Sequence, residues 1–324
     1  MALKQVEIRV AGKSTLVPAA EVCGHTVIAK GGFIKTASVL DEKLTVGELV
    51  PDPSAMVAEL KQSGLPADVL TFFQRPPDVT PRFQLHLEWE NYAVVDTTTF
   101  ERWWEQLPQE ARKNTRRAAK RGVVVKTVPY DDALAQGIHK LCNESPVRQG
   151  KPFWHYGKDF ATIKREHATF LERSEFLGAY FQDELIGFIK LVYVDQVAFI
   201  LHILAFNSNY DKRPLNAMIT KAVEICAQKG LKYLVYDQYV YGNKKESSLV
   251  EFKRRNGFVP VNYPRYYVPL TLKGRIYVAL RLYRGPVGLI PTPLLRILLK
   301  IRDSFYNRRE KAATPSPEPP QVDS

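Results

Sequence analysis

From Gly122 to about residue 270 the hydrophobic period of this chain switches again and again, and few architectures accommodate that. A strand (Val123–Val128) precedes helices at Asp131–Cys142 and Lys158–Arg173. Two strands then face each other across Gln182-Asp183-Glu184: Phe176–Phe181 and Leu185–Val194. After them come a strand (Val197–Phe206), a helix (Leu215–Lys229), a strand (Leu231–Tyr239), a helix ending at Arg255 and a strand resuming at Phe258. In the Leu215–Lys229 helix the apolar positions 215, 218, 219, 222 and 226 make one buried stripe, and Gly230 suits the residue just past its end. Alternation of this kind predicts an α/β (α+β) fold.

Upstream, residues 1–95 read as short strands (Glu7–Val10, His25–Ala29, Phe83–Glu88) around a helix at Ser54–Ser63 opened by Pro51-Asp52-Pro53-Ser54. They carry no motif of known chemistry. Thr97-Thr98-Thr99 caps a short helix bearing Trp103 and Trp104, and Pro108 opens another that closes before Gly122. Downstream, Pro293–Arg309 is an amphipathic helix with a broad leucine-isoleucine face, followed by a proline-rich tail expected to be disordered. The expected divisions are an accessory region at 1–96, a main domain at 97–275, an amphipathic extension at 276–311 and the tail at 312–324.

A net charge of +12 in 324 residues suggests an anionic partner, or simply a soluble basic surface. The three cysteines are scattered, with no CxxC pair and no histidine spaced to complete a metal site, so no metal is expected and a reducing compartment is. With no apolar leader at the start and no run of membrane-spanning length, the expected location is cytoplasmic. The C-terminal helix adds an alternative, peripheral contact at the inner membrane face through its leucines and flanking arginines, against the simpler reading that it packs on the protein's own core.

The stretch Ser247-Ser248-Leu249-Val250-Glu251-Phe252-Lys253-Arg254-Arg255-Asn256-Gly257-Phe258 places one lysine near the end of an open sheet. Before the first strand of the main domain lies a helix with six cations, Arg112-Lys113-Asn114-Thr115-Arg116-Arg117-Ala118-Ala119-Lys120-Arg121. The element order over residues 97–270 resembles the GNAT acyltransferase fold. The basic helix and the Phe252-Lys253 pair before a Gly-Phe turn resemble the FemAB-like and BioF2-like members. That resemblance implies a GNAT-like mixed central sheet flanked by helices. It also implies transfer of an acyl or aminoacyl group from an anionic activated donor to an amine acceptor, with cell-envelope or polysaccharide precursors among the expected acceptors. Acyl-CoA is the implied donor in BioF2-like proteins and aminoacyl-tRNA in FemAB-like ones. A non-catalytic module binding an anionic polymer or membrane is the other alternative.

One departure concerns the donor. GNAT enzymes hold the CoA pyrophosphate on a glycine-rich turn at a helix N-terminus. The corresponding Asn209-Tyr210-Asp211-Lys212-Arg213-Pro214 has no glycine, and Pro214 has no N–H. Lys212 and Arg213 are therefore expected to meet phosphate by side chain, joined by Arg112, Arg116 and Lys120, with Phe252 as a wall. A merely solvated basic face is the other reading of the 112–120 stripe. Lys253 is expected to be solvent-accessible and to stabilise charge on the acyl oxygen, as the resemblance implies. Asp237, at the carboxyl end of its strand, is expected to take a proton from the amine or hold its ammonium form. Arg148, Trp154, His155 and Tyr156, in the loop between the first two helices, are the expected acceptor contacts. His202 reads as a core residue.

Overall fold

The computed structural model describes residues 3–10, 13–148, 150–242 and 247–285, so the expected helix at Pro293–Arg309 and the tail from 312 lie outside the described residues. Two units are distinguished, Met1–Thr271 and Leu272 onwards. The first begins with β1 (Lys4–Val10), β2 (Lys13–Val22), β3 (His25–Lys30), β4 (Thr36–Val39), α1 (Pro53–Gln62), β5 (Val69–Phe73) and β6 (Leu87–Asp96). It continues through α2 (Phe100–Gln106), α3 (Gln109–Lys120), β7 (Val124–Val128), α4 (Asp132–Cys142), the short hairpin of β8 (Val147–Arg148) and β9 (Lys151–Pro152), and α5 (Phe160–His167). Then follow β10 (Ser174–Phe181), β11 (Glu184–Val194), β12 (Val197–Ala205), α6 (Pro214–Gln228), β13 (Tyr233–Gln238), α7 (Ser248–Arg255) and β14 (Val259–Pro269). The second unit opens with α8 (Leu272–Ala279).

One twelve-stranded mixed sheet organises the first unit, in the order β1-β2-β3-β4-β5-β14-β6-β13-β12-β11-β10-β7. Among the described residues, only β4/β5 and β12/β13 pair in parallel. In the central strands, side chains alternate between two buried faces, as the pleat requires. Tyr92, Val94, Val192, Val194, Val197, Phe199 and Val235 join the core that includes Met56 and Leu60 of α1 and apolar residues of β2–β5. Their neighbours Ala93, Val95, Leu191, Ala198, Ile200 and Leu234 face a second core with Trp103 of α2, Ala111 and Ala118 of α3, and Met218 and Ile219 of α6. A smaller cluster joins Leu134, Ile138 and Leu141 of α4 to Ile163 of α5, Phe176 and Phe188. Mixed α/β architecture, with helices on the faces of one sheet, is what the periodicity predicts.

Two expected elements are displaced, each for a local reason. The strand expected at Phe83–Glu88 runs instead from Leu87 to Asp96. Glu88, Glu90 and Asn91 interrupt its apolar alternation, yet β6 lies between β14 and β13. The helix expected at Lys158–Arg173 ends at His167. There the buried ammonium of Lys190, on β11, donates to the carbonyl oxygens of His167 and Thr169 and to Thr169 Oγ1 (3.1 Å for the last), and Phe170 turns left-handed at φ 54°. A cation at these carbonyls stops the helix where the sequence period would have carried it on. Side-chain caps fix other helix starts: Thr99 accepts from Arg102 N (3.3 Å), Asp131 from Leu134 N (2.8 Å) and Ser247 from Val250 N (3.2 Å).

The turn out of α7 is the tightest point near the prospective site. Gly257 has φ +80°, and a Cβ there would lie 2.7 Å from Trp103 Nε1 and 3.0 Å from Leu107 Cδ2. Gly230, at φ +69°, ends α6 with open space around it. Gly230→Ala should therefore cost only the left-handed strain, about 1 kcal/mol, whereas Gly257→Ala adds overpacking and should cost about 2–4 kcal/mol. Urea unfolding of the two variants checks the ranking; equal losses would mean that Trp103 yields freely.

Candidate active site at the parting of β12 and β13

The parallel pairing of β12 with β13 covers only Val197↔Tyr233, Ala198↔Leu234 and Phe199↔Val235. Beyond it β12 runs on to Ala205 against β11, while β13 stays with β6, so the two strands no longer share a ladder. The stretch Tyr236-Asp237-Gln238 lies in this parted end. The β13/β6 register breaks between Val235 and Gln238, and Asp237 takes a left-handed φ of 43°. Aspartate is one of the few residue types that adopts this conformation at modest cost.

Lys253 reaches this end from α7. The expectation of a solvent-accessible lysine is corrected: its side chain is fully buried, at 0% exposure. It occupies the position of α7 that turns inward, three residues before buried Asn256. Its Nζ donates to the carbonyl oxygen of Gln238 and lies 4.5 Å from the Tyr236 ring centre and 4.7 Å from that of Tyr241. Tyr241 is 40% exposed, so it is the flanking ring that reaches the surface. Burial pushes the Lys253 ammonium down to about 8, against the pull of the Asp237 carboxylate. Asn256 fixes the end of the helix: it accepts from Asn216 Nδ2 of α6 (3.0 Å) and, through its carbonyl, from Trp103 Nε1 of α2 (3.3 Å).

Asp237 is held on both carboxylate oxygens, by Lys43 Nζ at 2.6 Å and by Tyr241 OH at 2.9 Å. Burial alone would raise its pKa; Lys43, Tyr241 and Lys253 outweigh that and keep it low. The geometry suits a fixed anion that holds an ammonium better than a base. Lys43 comes from a short 3-10 turn, Glu42–Leu44, and its Nζ lies 5.1 Å from the Tyr92 ring centre. The adjacent Glu42 pairs with Arg265, whose guanidinium also bonds Glu90 and Thr71 Oγ1, while Tyr92 OH donates to Glu90 at 3.0 Å. Glu42 Oε2 is buried with no hydrogen-bond partner among the described residues. Lys43, Tyr92 and Tyr241 therefore belong to the candidate site, and sequence reasoning did not single them out. Asp41-Glu42-Lys43-Leu44 is an ordinary polar turn until a partner 194 positions away is known.

The expected donor contacts do not converge. Thr115 of α3 meets Thr220 of α6 (3.1 Å) and Arg121 meets Asp211 (3.3 Å), so the two helices run antiparallel. Arg112 thus lies at the end of α3 away from the start of α6. Arg116 stands over the Trp104 ring at 5.8 Å, and Lys120 is exposed. Lys212 pairs with Asp211 (3.4 Å) and covers the Phe181 ring at 4.9 Å. Arg213 is left-handed, at φ 60°, and no side chain caps α6. Phe252 is a partly buried wall against the second core.

The expected acceptor contacts form a separate group. Arg148 bonds Leu141 O (3.0 Å), Ala205 O (2.9 Å) and Glu144 (2.8 Å), which fastens α4 to the end of β12. His155 is buried beneath exposed Trp154 (ring centres 3.6 Å apart) and beside His167 and His202, 6.2 Å from each. Burial first, then Lys158, His167 and Arg9, push His155 down to about 3, so it is a neutral imidazole. His202 is depressed by burial as well, in keeping with its reading as a core residue. Tyr156 is exposed. None of these residues shares a contact named above with Lys253 or Asp237. Among the described residues, no group of three or more His, Cys, Asp or Glu is placed to hold a metal ion, and no helix is long and apolar enough to cross a membrane.

Comparison with solved structures shows the expected GNAT-like fold, a mixed sheet flanked by helices. FemX superposes with a TM-score of 0.56 at 11% identity, over 88% of this chain and 90% of its own. The C-terminal (DUF2156) domain of a protein assigned as a lysylphosphatidylglycerol synthetase from Agrobacterium fabrum gives 0.54 at 13% identity, covering 84% of this chain and 90% of that domain. L-PGS from Bacillus licheniformis gives 0.53 at 11%, covering 82% and 88%. No family model and no curated protein sequence matches the chain.

The lowered lysine has a thermodynamic consequence. An unfolded lysine keeps its proton up to about 10.5, while folded Lys253 releases it near 8. Between those values the unfolded chain binds more protons, so this group's contribution to stability rises with pH across the window and is least favourable below it. Wild type should gain stability relative to Lys253→Met between pH 7 and pH 10.5; Lys190 is common to both proteins and cancels. Paired urea titrations at the two pH values check this, and a constant difference would place the Lys253 pKa at its ordinary value.

Proposed function

We propose that this protein is an N-acyltransferase that moves an acyl or aminoacyl group from an activated anionic donor to an amine acceptor. The observation that carries the reading is the buried, cationic Lys253 at the parted end of β12 and β13, in a chain with the FemAB-like fold. A lysine at an inward helix position weakens packing and is desolvated, a cost that a charge aimed at a developing oxyanion would justify. In the reaction, the amine nitrogen bonds to the carbonyl carbon, and the carbonyl electron pair moves to the oxygen, whose charge the Lys253 ammonium would stabilise. Collapse of that intermediate expels the donor's sulfur or oxygen, and the amine proton leaves with it or to water. The donor is already activated, so no enzyme nucleophile is required. Asp237 would hold Lys43 and the Tyr241 hydroxyl in place around the reacting carbonyl.

The start of α6 supports one reading of the donor. With Pro214 at its first position and no cap, that terminus lacks part of the amide cradle that pyrophosphate needs. This favours aminoacyl-tRNA, bound through dispersed lysines and arginines, over acyl-CoA, and the net charge of +12 supports it. The cell-envelope acceptor and the cytoplasmic location belong to the same reading.

Thermal-shift screening of the full chain against acyl-CoAs and charged tRNAs tests the proposal, since a ligand at about 100 times its dissociation constant adds about 2.7 kcal/mol. With the donor found, Lys253→Met should retain the shift and lose about 100-fold in kcat, equivalent to about 3 kcal/mol of barrier. Wild-type turnover should also fall as pH rises through about 8, where the ammonium is lost. No shift with either donor class, or turnover of Lys253→Met within twofold of wild type, would overturn it.

A further inference from the structure

Two ammonium groups and one carboxylate meet at the parted end of β13. Asp237 accepts from Lys43 Nζ on one oxygen and from Tyr241 OH on the other. The ring of the same Tyr241 lies 4.7 Å from Lys253 Nζ, and this ammonium bonds the carbonyl of Gln238, the residue after Asp237. One anion thus stands beside two cations from distant parts of the chain, Lys43 from the turn Glu42–Leu44 and Lys253 from α7. Lys253 is buried, whereas Lys43 and Asp237 are partly exposed.

A buried ammonium keeps its proton only as far as a nearby negative charge offsets its lost hydration. Asp237 is in that place. Lys43 draws on the same carboxylate and repels Lys253, so it weakens the support. Burial lowers the pKa of Lys253, Asp237 raises it and Lys43 lowers it, in keeping with that arrangement. The phenols nearby stay neutral: burial pushes Tyr236 and Tyr241 up, and Tyr92, beneath Lys43, donates its hydroxyl to Glu90. On α7 itself, Arg254 and Arg255 are turned onto Glu251 (2.8 and 2.5 Å). We propose that Lys43 and Asp237 are positioning residues that act through Lys253: the carboxylate holds its positive charge and Lys43 limits that hold, so a turn among the N-terminal strands sets the charge this site presents. The proposal rests on the transferase reading for its catalytic consequence only.

Titration of the lysine side chains by NMR, on the full chain labelled with carbon-13 at lysine, tests this without any donor. The Lys253 signal is assigned by its loss in Lys253→Met. Lys43→Met frees Asp237 for Lys253 and should raise the Lys253 midpoint by roughly half a pH unit or more, whereas Asp237→Asn should lower it by as much. Lys43→Arg keeps the cation and should leave the midpoint near its wild-type place. Buried Lys190, on β11, reports on the rest of the fold and should titrate unchanged in all three variants. Asparagine tolerates the left-handed backbone of position 237; should Asp237→Asn still fail to fold, Lys43→Met, at a partly exposed residue, decides alone. A Lys253 midpoint that stays in place, moves the same way in both variants, or moves only together with Lys190 overturns the proposal. With a donor found, the alkaline limb of turnover should follow the midpoint, upward in Lys43→Met and downward in Asp237→Asn. Midpoints that move as expected while turnover does not follow would support the charge relation and overturn the role of Lys253 at the acyl oxygen.

Discussion

Separation of β12 from β13 after three paired residues is the constraint on which the site depends. Strands in a continuous sheet satisfy each other's amides and carbonyls, and strands that part must find other partners. Here the parted end of β13 is held from its other edge: Tyr239 N donates to Asn91 O (3.2 Å) and Val240 N to Asn91 Oδ1 (2.6 Å). The carbonyl of Gln238 takes the Lys253 ammonium. One buried lysine thus occupies a backbone acceptor that a neighbouring strand would otherwise fill. That lysine can stay because two phenol rings and a carboxylate surround it.

Consecutive residues of one short turn tie the N-terminal strands to this arrangement. Glu42 enters the buried Arg265–Glu90 network, and Lys43 pairs with Asp237. Removing Glu42 would leave the buried Arg265 guanidinium one carboxylate short, whereas the Lys43–Asp237 pair is partly exposed and screened by water, so the turn matters more to the first network than to the second. Burial disfavours the Arg265 guanidinium, and the two carboxylates more than restore it. The strand β6 lies between these networks: Glu90 serves Arg265, Asn91 holds the exit of β13, and Tyr92 lies beneath Lys43.

The same residues explain what could be read in the sequence. Where helices and strands earn their place by burying apolar surface, as in α4, α6 and β10–β12, periodicity locates them to within a few residues. Where side chains serve electrostatics, the pattern fails. Glu88, Glu90 and Asn91 conceal a central strand, and Lys190 ends α5 early from a different element. Lys253 was visible through the Phe-Lys and Gly-Phe spacing, and Asp237 through its place at a strand end. Lys43 was not, because an ion pair across 194 positions leaves no local trace. The Arg112–Lys120 stripe shows a different limit of the sequence: a repeat at i+4 gives a shared helix face, but does not say what that face meets.

The start of α6 is not built as a phosphate cradle. A phosphate cradle requires successive backbone N–H groups to converge, and glycine usually allows the close approach. Here a 3-10 turn, Asn207–Lys212, leads into left-handed Arg213 and then Pro214, whose ring replaces one donor. Lys212 is turned onto Asp211 and the Phe181 ring, and Arg121 onto Asp211. Two of the cations nearest this terminus are thus already paired with one carboxylate. Charge recognition at this end must therefore compete with Asp211, and it would draw on exposed side chains whose attraction salt screens over about 10 Å. A compact pyrophosphate gains little from such a site, whereas a long polyanion that touches many dispersed cations gains from each of them.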